Sequence, residues 1–410
     1  MRSLSRKLNI PIPANLPEAG KQREDVFSLR LETPMYGGGA VAGEADPERP
    51  VRVPSVRGNL RFWWRMLFAG ERKGKVLREA ESAIWGSTET PSSVSVSVEC
   101  EAWNRLRMHD AADPFGFQKW GAETYALFPA APQRQKGLPG HDILEEKMPF
   151  RVRLTYSEAL EQSKITEVRA ALAAWIYFGG LGSRTRRGLG TLSCEKAELS
   201  GGGKLPGLKE VLAQNTDITL WTREPRKTGA LDAWHDALDM YRQYRQQRNP
   251  GQQRNRPGRS RWPEPDSIRQ LTGRSAHEHS TPITEPLPAF PRAALGLPII
   301  FHFIGGGEPR DVQLKGTPAG AKDAVERMAS PVITKALFDG GKWHSAVVIL
   351  PRKDALGVTP EPDTPNKGGI IGVRDSRYAT SKPYRPTYGA DNAIEGFENF
   401  IKSNAFKREV

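Results

Sequence analysis

Cysteine is nearly missing from this chain: Cys100 and Cys194 are the only two in 410 residues. With no C-x-x-C pair and no even set of thiols at framework spacing, a disulfide scaffold and a cysteine zinc site are both excluded. Long apolar runs are missing too. The longest, Ala170 to Phe178, is nine residues, and a membrane-spanning helix needs about 20. Pro11 and Pro13 stand where the apolar centre of a signal peptide would lie, so a cytoplasmic protein with no membrane contact is expected. Nucleotide and hydrolase signatures are absent as well. Gly70 to Val76 approaches a Walker loop but is one residue short and carries Val where a magnesium-binding Ser or Thr is required. There is no G-x-S-x-G, no H-E-x-x-H and no D-x-D. His109, Asp110 and Asp113, and the pair His277 and His279 around Glu278, have no further ligand at metal spacing, so neither a metal nor any other cofactor is expected.

Positive charge is plentiful. Lys and Arg number 60 against 47 Asp and Glu, a net charge of +13 with a pI near 9.7. Such a balance points to a polyanionic partner. The 38% hydrophobic and 26% charged fractions are globular, and the length allows two or three domains. Forty glycines and 33 prolines imply ordered, turn-rich loops.

Val26 to Leu31 alternates apolar and polar residues and reads as a strand that runs into Thr33-Pro34-Met35-Tyr36-Gly37-Gly38-Gly39. The spacing predicts helices over 57–68 and 76–84, strands over 94–100 and 150–154, a helix over 165–178 and a strand over 189–197. That β-α-β-β-α-β order is the ferredoxin-like split unit, in which two helices cover one face of a four-stranded antiparallel sheet and the other face stays free for a ligand. Gly201-Gly202-Gly203 suggests a boundary near 205, with 205–221 able to pack back on the first domain. The domains expected are therefore 1–205 and 206–410. In the second, helices over 230–247 and 392–403 and strands over 298–304 and 344–350 are legible and indicate a further α+β domain, but its strand order is not.

Three segments carry the candidate chemistry. Gly179 to Gly190 holds five glycines, three arginines and no acid. Glycines let backbone amides approach a phosphodiester, and guanidinium forks bind phosphate in bidentate fashion, so Gly180, Gly182, Ser183, Arg184, Arg186, Arg187 and Gly188 form a candidate polyanion cradle. Arg57, Arg61 and Arg65 lie on one helical stripe, opposite Leu60, Trp64 and Leu67. They either meet phosphate or pair with surface carboxylates. Tyr241 to Trp262 contains seven arginines and no acid, Arg259 and Arg261 among them, flanked by rings that suit single-stranded RNA. Trp63, Trp64 and Trp262 can each be stacking platforms or core residues.

Thr33 to Gly39, Arg57-Gly58-Asn59-Leu60-Arg61-Phe62-Trp63-Trp64-Arg65, Glu81 to Gly86 and Gly179 to Gly190 together resemble the successive motifs of the RAMP superfamily. More narrowly, with Ser260 to Glu264, Phe290 to Pro298 and Met328 to Pro331, they are similar to the family of the first subunit of the Cmr complex, the type III-B CRISPR effector. The resemblance implies two ferredoxin-like domains with long insertions. It also implies a noncatalytic subunit that holds the 3′ part of the guide RNA, beside the sixth subunit and the repeated backbone subunit, and helps engage complementary target RNA in antiviral defence. By motif match the RNA-facing residues would be Tyr36, Gly37, Gly38, Arg57, Arg61 and Gly182 to Gly188. The alternative from the residues is a metal-independent RAMP endoribonuclease that processes precursor guide RNA with a His or Tyr as general acid and base.

Overall fold

The computed structural model describes residues 23–100, 105–107, 122–246, 260–274, 288–317, 325–351, 357–362 and 390–409, apart from positions 40, 42, 47, 71, 133–136, 138–139, 226, 261, 304 and 326 and position 391. The first half contains β1 (Arg23–Leu31), β2 (Met35–Tyr36), α1 (Val53–Phe68), α2 (Gly74–Trp85), β3 (Val94–Cys100), β4 (Arg105–Arg107), α3 (Ala122–Leu127), β5 (Asp142–Leu144), β6 (Pro149–Tyr156), α4 (Gln162–Phe178) and β7 (Leu192–Glu198). The second contains α5 (Leu208–Leu212), β8 (Thr219–Arg223), α6 (Ala230–Gln246), α7 (Glu264–Thr272), β9 (Ile299–Phe301), β10 (Val312–Thr317), β11 (Val332–Asp339), β12 (Lys342–Ile349), β13 (Gly357–Pro362), α8 (Ala393–Ser403) and β14 (Lys407–Glu409). Among the described residues no helix is long and apolar enough to cross a membrane.

Strands β1, β3, β6 and β7 form one antiparallel sheet in the order β3-β6-β1-β7, with α1 and α4 as its crossovers. This is the ferredoxin-like order expected from the sequence. The second half repeats it: β8, α6, β11, β12, α8 and β14 give a sheet in the order β11-β12-β8-β14, again antiparallel throughout. Two smaller sheets, β13-β10-β9 and β2-β5-β4, are inserted around these units.

Local chemistry explains the element ends. Helix α1 starts at Val53, earlier than apolar spacing alone indicates, because Pro54 occupies its first turn, where a missing N–H costs nothing. Helix α8 is capped by Asn392, whose side chain accepts from the N–H groups of Ile394 and Glu395 at 3.0 Å each. The strand read over 189–197 begins instead at Leu192, because Gly188 and Gly190 still hold the left-handed conformation.

The two units stack into layers. Helix α4 is buried along nearly its whole circumference, from Ile165 to Phe178, as a helix sandwiched between two sheets must be. On one side it packs against α1 and β7, and on the other against β11. One face of the second sheet, with Leu220, Ile333, Leu337, Ala346 and Val348, therefore shares the large core of the first unit, while Trp221, Val332, Val347 and Ile349 on the other face pack with α6 and α8. Lys335 of β11 lies in this seam, wholly buried, and donates to the carbonyl oxygens of Ile176 and Gly179 at 2.9 and 2.8 Å. It thereby caps the last turn of α4, whose final carbonyls have no partner within the helix. Burial pushes its ammonium down to about 7.

Candidate nucleic-acid interface

The glycine-arginine loop follows α4 directly. Thr185–Arg187 make one 3-10 turn, entered by Arg184 at φ +58° and left by Gly188 at φ +77°. A β-carbon on Gly188 would lie 2.3 Å from Trp234 Cδ1 and 2.7 Å from the Thr334 carbonyl oxygen. One on Gly182 would lie 2.6 Å from the Tyr36 carbonyl oxygen. These two glycines thus permit close approach within the protein that a β-carbon would block. Hydrogen bonds complete the anchorage: Ser183 N–H to Tyr36 O at 2.8 Å, Thr33 Oγ1 to Gly188 O at 2.6 Å and Trp234 Nε1 to Arg187 O at 2.6 Å. Tyr36 thereby joins the loop, as motif matching expects, through its backbone, whereas Gly37 and Gly38 lie beside it with open space around Gly38.

A backbone fixed in this way fixes where its arginines point. Arg184 donates to Tyr125 O at 3.1 Å and lies over the Phe128 ring at 5.0 Å. Arg186 reaches the Ser330 carbonyl of the second unit. Arg187, 9% exposed, donates to Tyr241 Oη at 3.2 Å and stacks over that ring at 4.2 Å. All three line a cleft of about 940 Å³, and Arg245 from the end of α6 and Arg292 line it too. His302 sits at its β9 side, and no acidic residue is among the described lining residues.

The charges of the cleft perturb one another. Burial, then Arg187, pushes the Arg184 guanidinium below its ordinary value, and its Nε is buried without a partner. Burial works against the charge of Arg245 too, but the Tyr125 and Tyr241 phenols hold its pKa above the ordinary value. Glu264, fully buried, accepts from the Arg292 backbone N–H at 2.6 Å and stands 3.6 Å from its Nε. Burial nevertheless raises that carboxyl. Five guanidinium groups thus line one cleft with one buried carboxyl behind them, which leaves the cleft strongly positive.

The arginine stripe of α1 is engaged differently. Arg61 Nε donates to Glu81 Oε1 at 2.7 Å, Arg65 Nη2 donates to Glu81 Oε2 at 2.6 Å, and Arg57 reaches the Trp85 carbonyl. Their partner Glu81 is only 3% exposed, so the stripe clasps α2 onto α1. Trp63, Trp64 and Trp262 are at most 1% exposed and belong to the core. The helix-free face of the first sheet carries ion pairs among its own strands, Arg153 with Glu24 and Glu99 and Arg30 with Glu195, and no described aromatic ring. It offers neither net charge nor a stacking surface. Arg259, Arg261, His109, Asp110, Asp113, His277, Glu278 and His279 lie outside the described residues. Sequence reasoning did not single out Arg292 or Phe128, and the run over 242–261 marks Arg245 only as one of seven. A partial signal existed for Arg292, which sits in the Phe290 to Pro298 string.

Residues 28–193 match the RAMP superfamily. Over 182 residues the chain is 30% identical to the CRISPR system Cmr subunit Cmr1-2 of Pyrococcus furiosus, spanning 42% of this chain and 95% of that protein. The chain is a RAMP protein of the Cmr1 family. Its fold agrees with that membership: the crystal structure of Cmr1 from Pyrococcus furiosus in its apo form aligns with a TM-score of 0.50 at 16% identity, covering 94% of this chain and 98% of that one. A chain of the type III-B Cmr-beta complex bound to cognate target RNA aligns at 0.46 and 11% identity, over 93% and 100% of the two chains. The RAMP match ends at residue 193, so it takes in the whole glycine-arginine loop, whereas Arg245 and Arg292 come from beyond it.

Proposed function

We propose that this RAMP protein is a noncatalytic RNA-binding subunit of a type III-B CRISPR Cmr ribonucleoprotein. In this reading it holds the 3′ part of the guide RNA beside the sixth subunit and the repeated backbone subunit, helps engage complementary target RNA, and works in the cytoplasm in antiviral defence. The observation that supports it is the cleft of Arg184, Arg186, Arg187, Arg245 and Arg292. Guanidinium groups fixed by their own carbonyl and ring contacts hold a phosphodiester backbone in register without reading its bases. Sequence specificity then comes from guide pairing, as a base-blind cleft requires. Of the candidate contacts, the loop arginines take phosphate, and Arg57, Arg61 and Arg65 fasten α1 to α2.

The test is a salt titration of single-stranded RNA binding by fluorescence anisotropy, comparing the native chain with the double variant R184A/R186A. Each lost phosphate contact flattens the slope of log K against log salt by roughly 0.7, so the pair should flatten it by about 1.4. An unchanged slope removes the cleft from the binding site.

A further inference from the structure

Phe128 is the most exposed large hydrophobic residue among those described, 60% exposed, although it sits in a well-packed segment. It opens the 3-10 turn Phe128–Ala130 just after α3, where Leu127 and Ala130 are buried and fix the turn. Its ring is therefore held out by its neighbours' burial and is not the end of a loose loop. It also lines the arginine cleft, with the Arg184 guanidinium over the ring at 5.0 Å. Ile300 lines the same cleft and is 49% exposed, although Ile299 and Phe301 on either side of it in β9 point inward. Two apolar side chains left in water beside five guanidinium groups are a cost that burial elsewhere would have removed. A polyanion with flat, apolar faces recovers that cost.

We propose that Phe128 is a nucleobase-stacking platform, with Arg184 fixing its ring and Ile300 contributing apolar surface in the same cleft, so that one unpaired base of a single-stranded RNA is taken up as its backbone crosses the arginines. This rests on the RNA-binding reading and deepens it: a nucleotide held by both phosphate and base must be unpaired at that point. A ring so placed gives grip without sequence readout, because every base has a π-face, and stacking favours purines over pyrimidines.

The experiment measures binding of fluorescein-labelled 20-nucleotide oligoadenosine and oligouridine by the full chain as F128A, F128L and F128Y, with R184A/R186A alongside. Phe128→Ala and Phe128→Leu should each weaken oligoadenosine binding by about 5- to 150-fold, the range of a stacked base, and oligouridine binding less, with the salt slope unchanged. Phe128→Tyr should bind as the native chain does. High exposure of the ring means that thermal unfolding of these variants should match the native chain, which separates a binding loss from misfolding. If Phe128→Ala binds within twofold of native while R184A/R186A is impaired, the stacking platform is wrong and the RNA-binding reading survives. If Phe128→Leu retains affinity, or Phe128→Ala flattens the salt slope, the ring acts as bulk or as a prop for Arg184 and the proposal is overturned. If no variant loses affinity, both readings fall.

Discussion

Replacing Lys335 by Met should uncouple the stability of this chain from alkaline pH. Lys335 is wholly buried in the seam between the two units, and burial lowers its ammonium from 10.5 to about 7. Between those values the unfolded chain carries a proton on this lysine that the folded chain does not, so stability rises with pH across the window. The penalty is full below pH 7, where both states are protonated, and vanishes above about 10.5, where neither is. At 1.36 kcal/mol for each unit of displacement, the whole swing is roughly 5 kcal/mol. The Met variant has no such titration, but it leaves the Ile176 and Gly179 carbonyls without their donor, at about 1–3 kcal/mol for each buried group left unpaired. Urea unfolding followed by tryptophan fluorescence at pH 7, 8, 9 and 10 should therefore show the native chain gaining about 1.4 kcal/mol per pH unit relative to Lys335→Met. A difference that stays within about 0.5 kcal/mol over that range refutes the reasoning. It would mean that two carbonyls and the negative end of α4 keep the proton on the lysine in the folded state and outweigh desolvation.

Gly188→Ala should destabilise the chain by about 2–5 kcal/mol, combining a left-handed backbone with a β-carbon 2.3 Å from Trp234, and should lower the urea midpoint accordingly. Asp25 is fully buried with Arg169, which donates to it through Nε and Nη2 at 2.8 Å each. Burial alone would raise the Asp25 carboxyl, but Arg169, Tyr156 and Ser200 together hold it below its ordinary 3.8. Asp25→Ala should cost about 3–5 kcal/mol at neutral pH. Its contribution is present above pH 3.8 and is lost as pH falls through the lower folded value, so the gap between native and variant should narrow under acid titration. The variant R61A/R65A should leave the RNA salt slope unchanged and lower stability by about 1–3 kcal/mol, through the buried Glu81 left unpaired. The two arginine side chains are 38% and 47% exposed and contribute little on their own account.

The first unit was legible because its strands alternate. β1 has one face in the core and the other in water, and a period of two survives in its sequence. β11 was missed for the opposite reason. From Val332 to Leu337 it is buried on both faces, one against α4 and the other against α6, and its polar residues Thr334 and Lys335 are neighbours on opposite faces, so no alternation at the strand period survives. Between α6 and β11 the chain also inserts α7, β9 and β10, which hides the second β-α-β-β-α-β order behind unrelated elements. At the site, the loop arginines could be found because they are neighbours in sequence. The cleft could not, because Arg184, Arg245 and Arg292 come from three separate segments and only the packing of one unit on the other brings them together. Nor does the spacing of the loop glycines say that Gly182 and Gly188 are held so close to Tyr36 and Trp234 that neither could carry a β-carbon.

That anchorage makes the aim of the loop arginines depend on the second unit. Arg184, Arg186 and Arg187 are translated before the second unit exists, but the groups that aim two of them, Tyr241 and the Ser330 carbonyl, arrive 54 and 144 residues later. The first half by itself holds the three arginines without the groups that orient two of them. The ordered row of arginines is thus a property of the two units folded together and of neither alone.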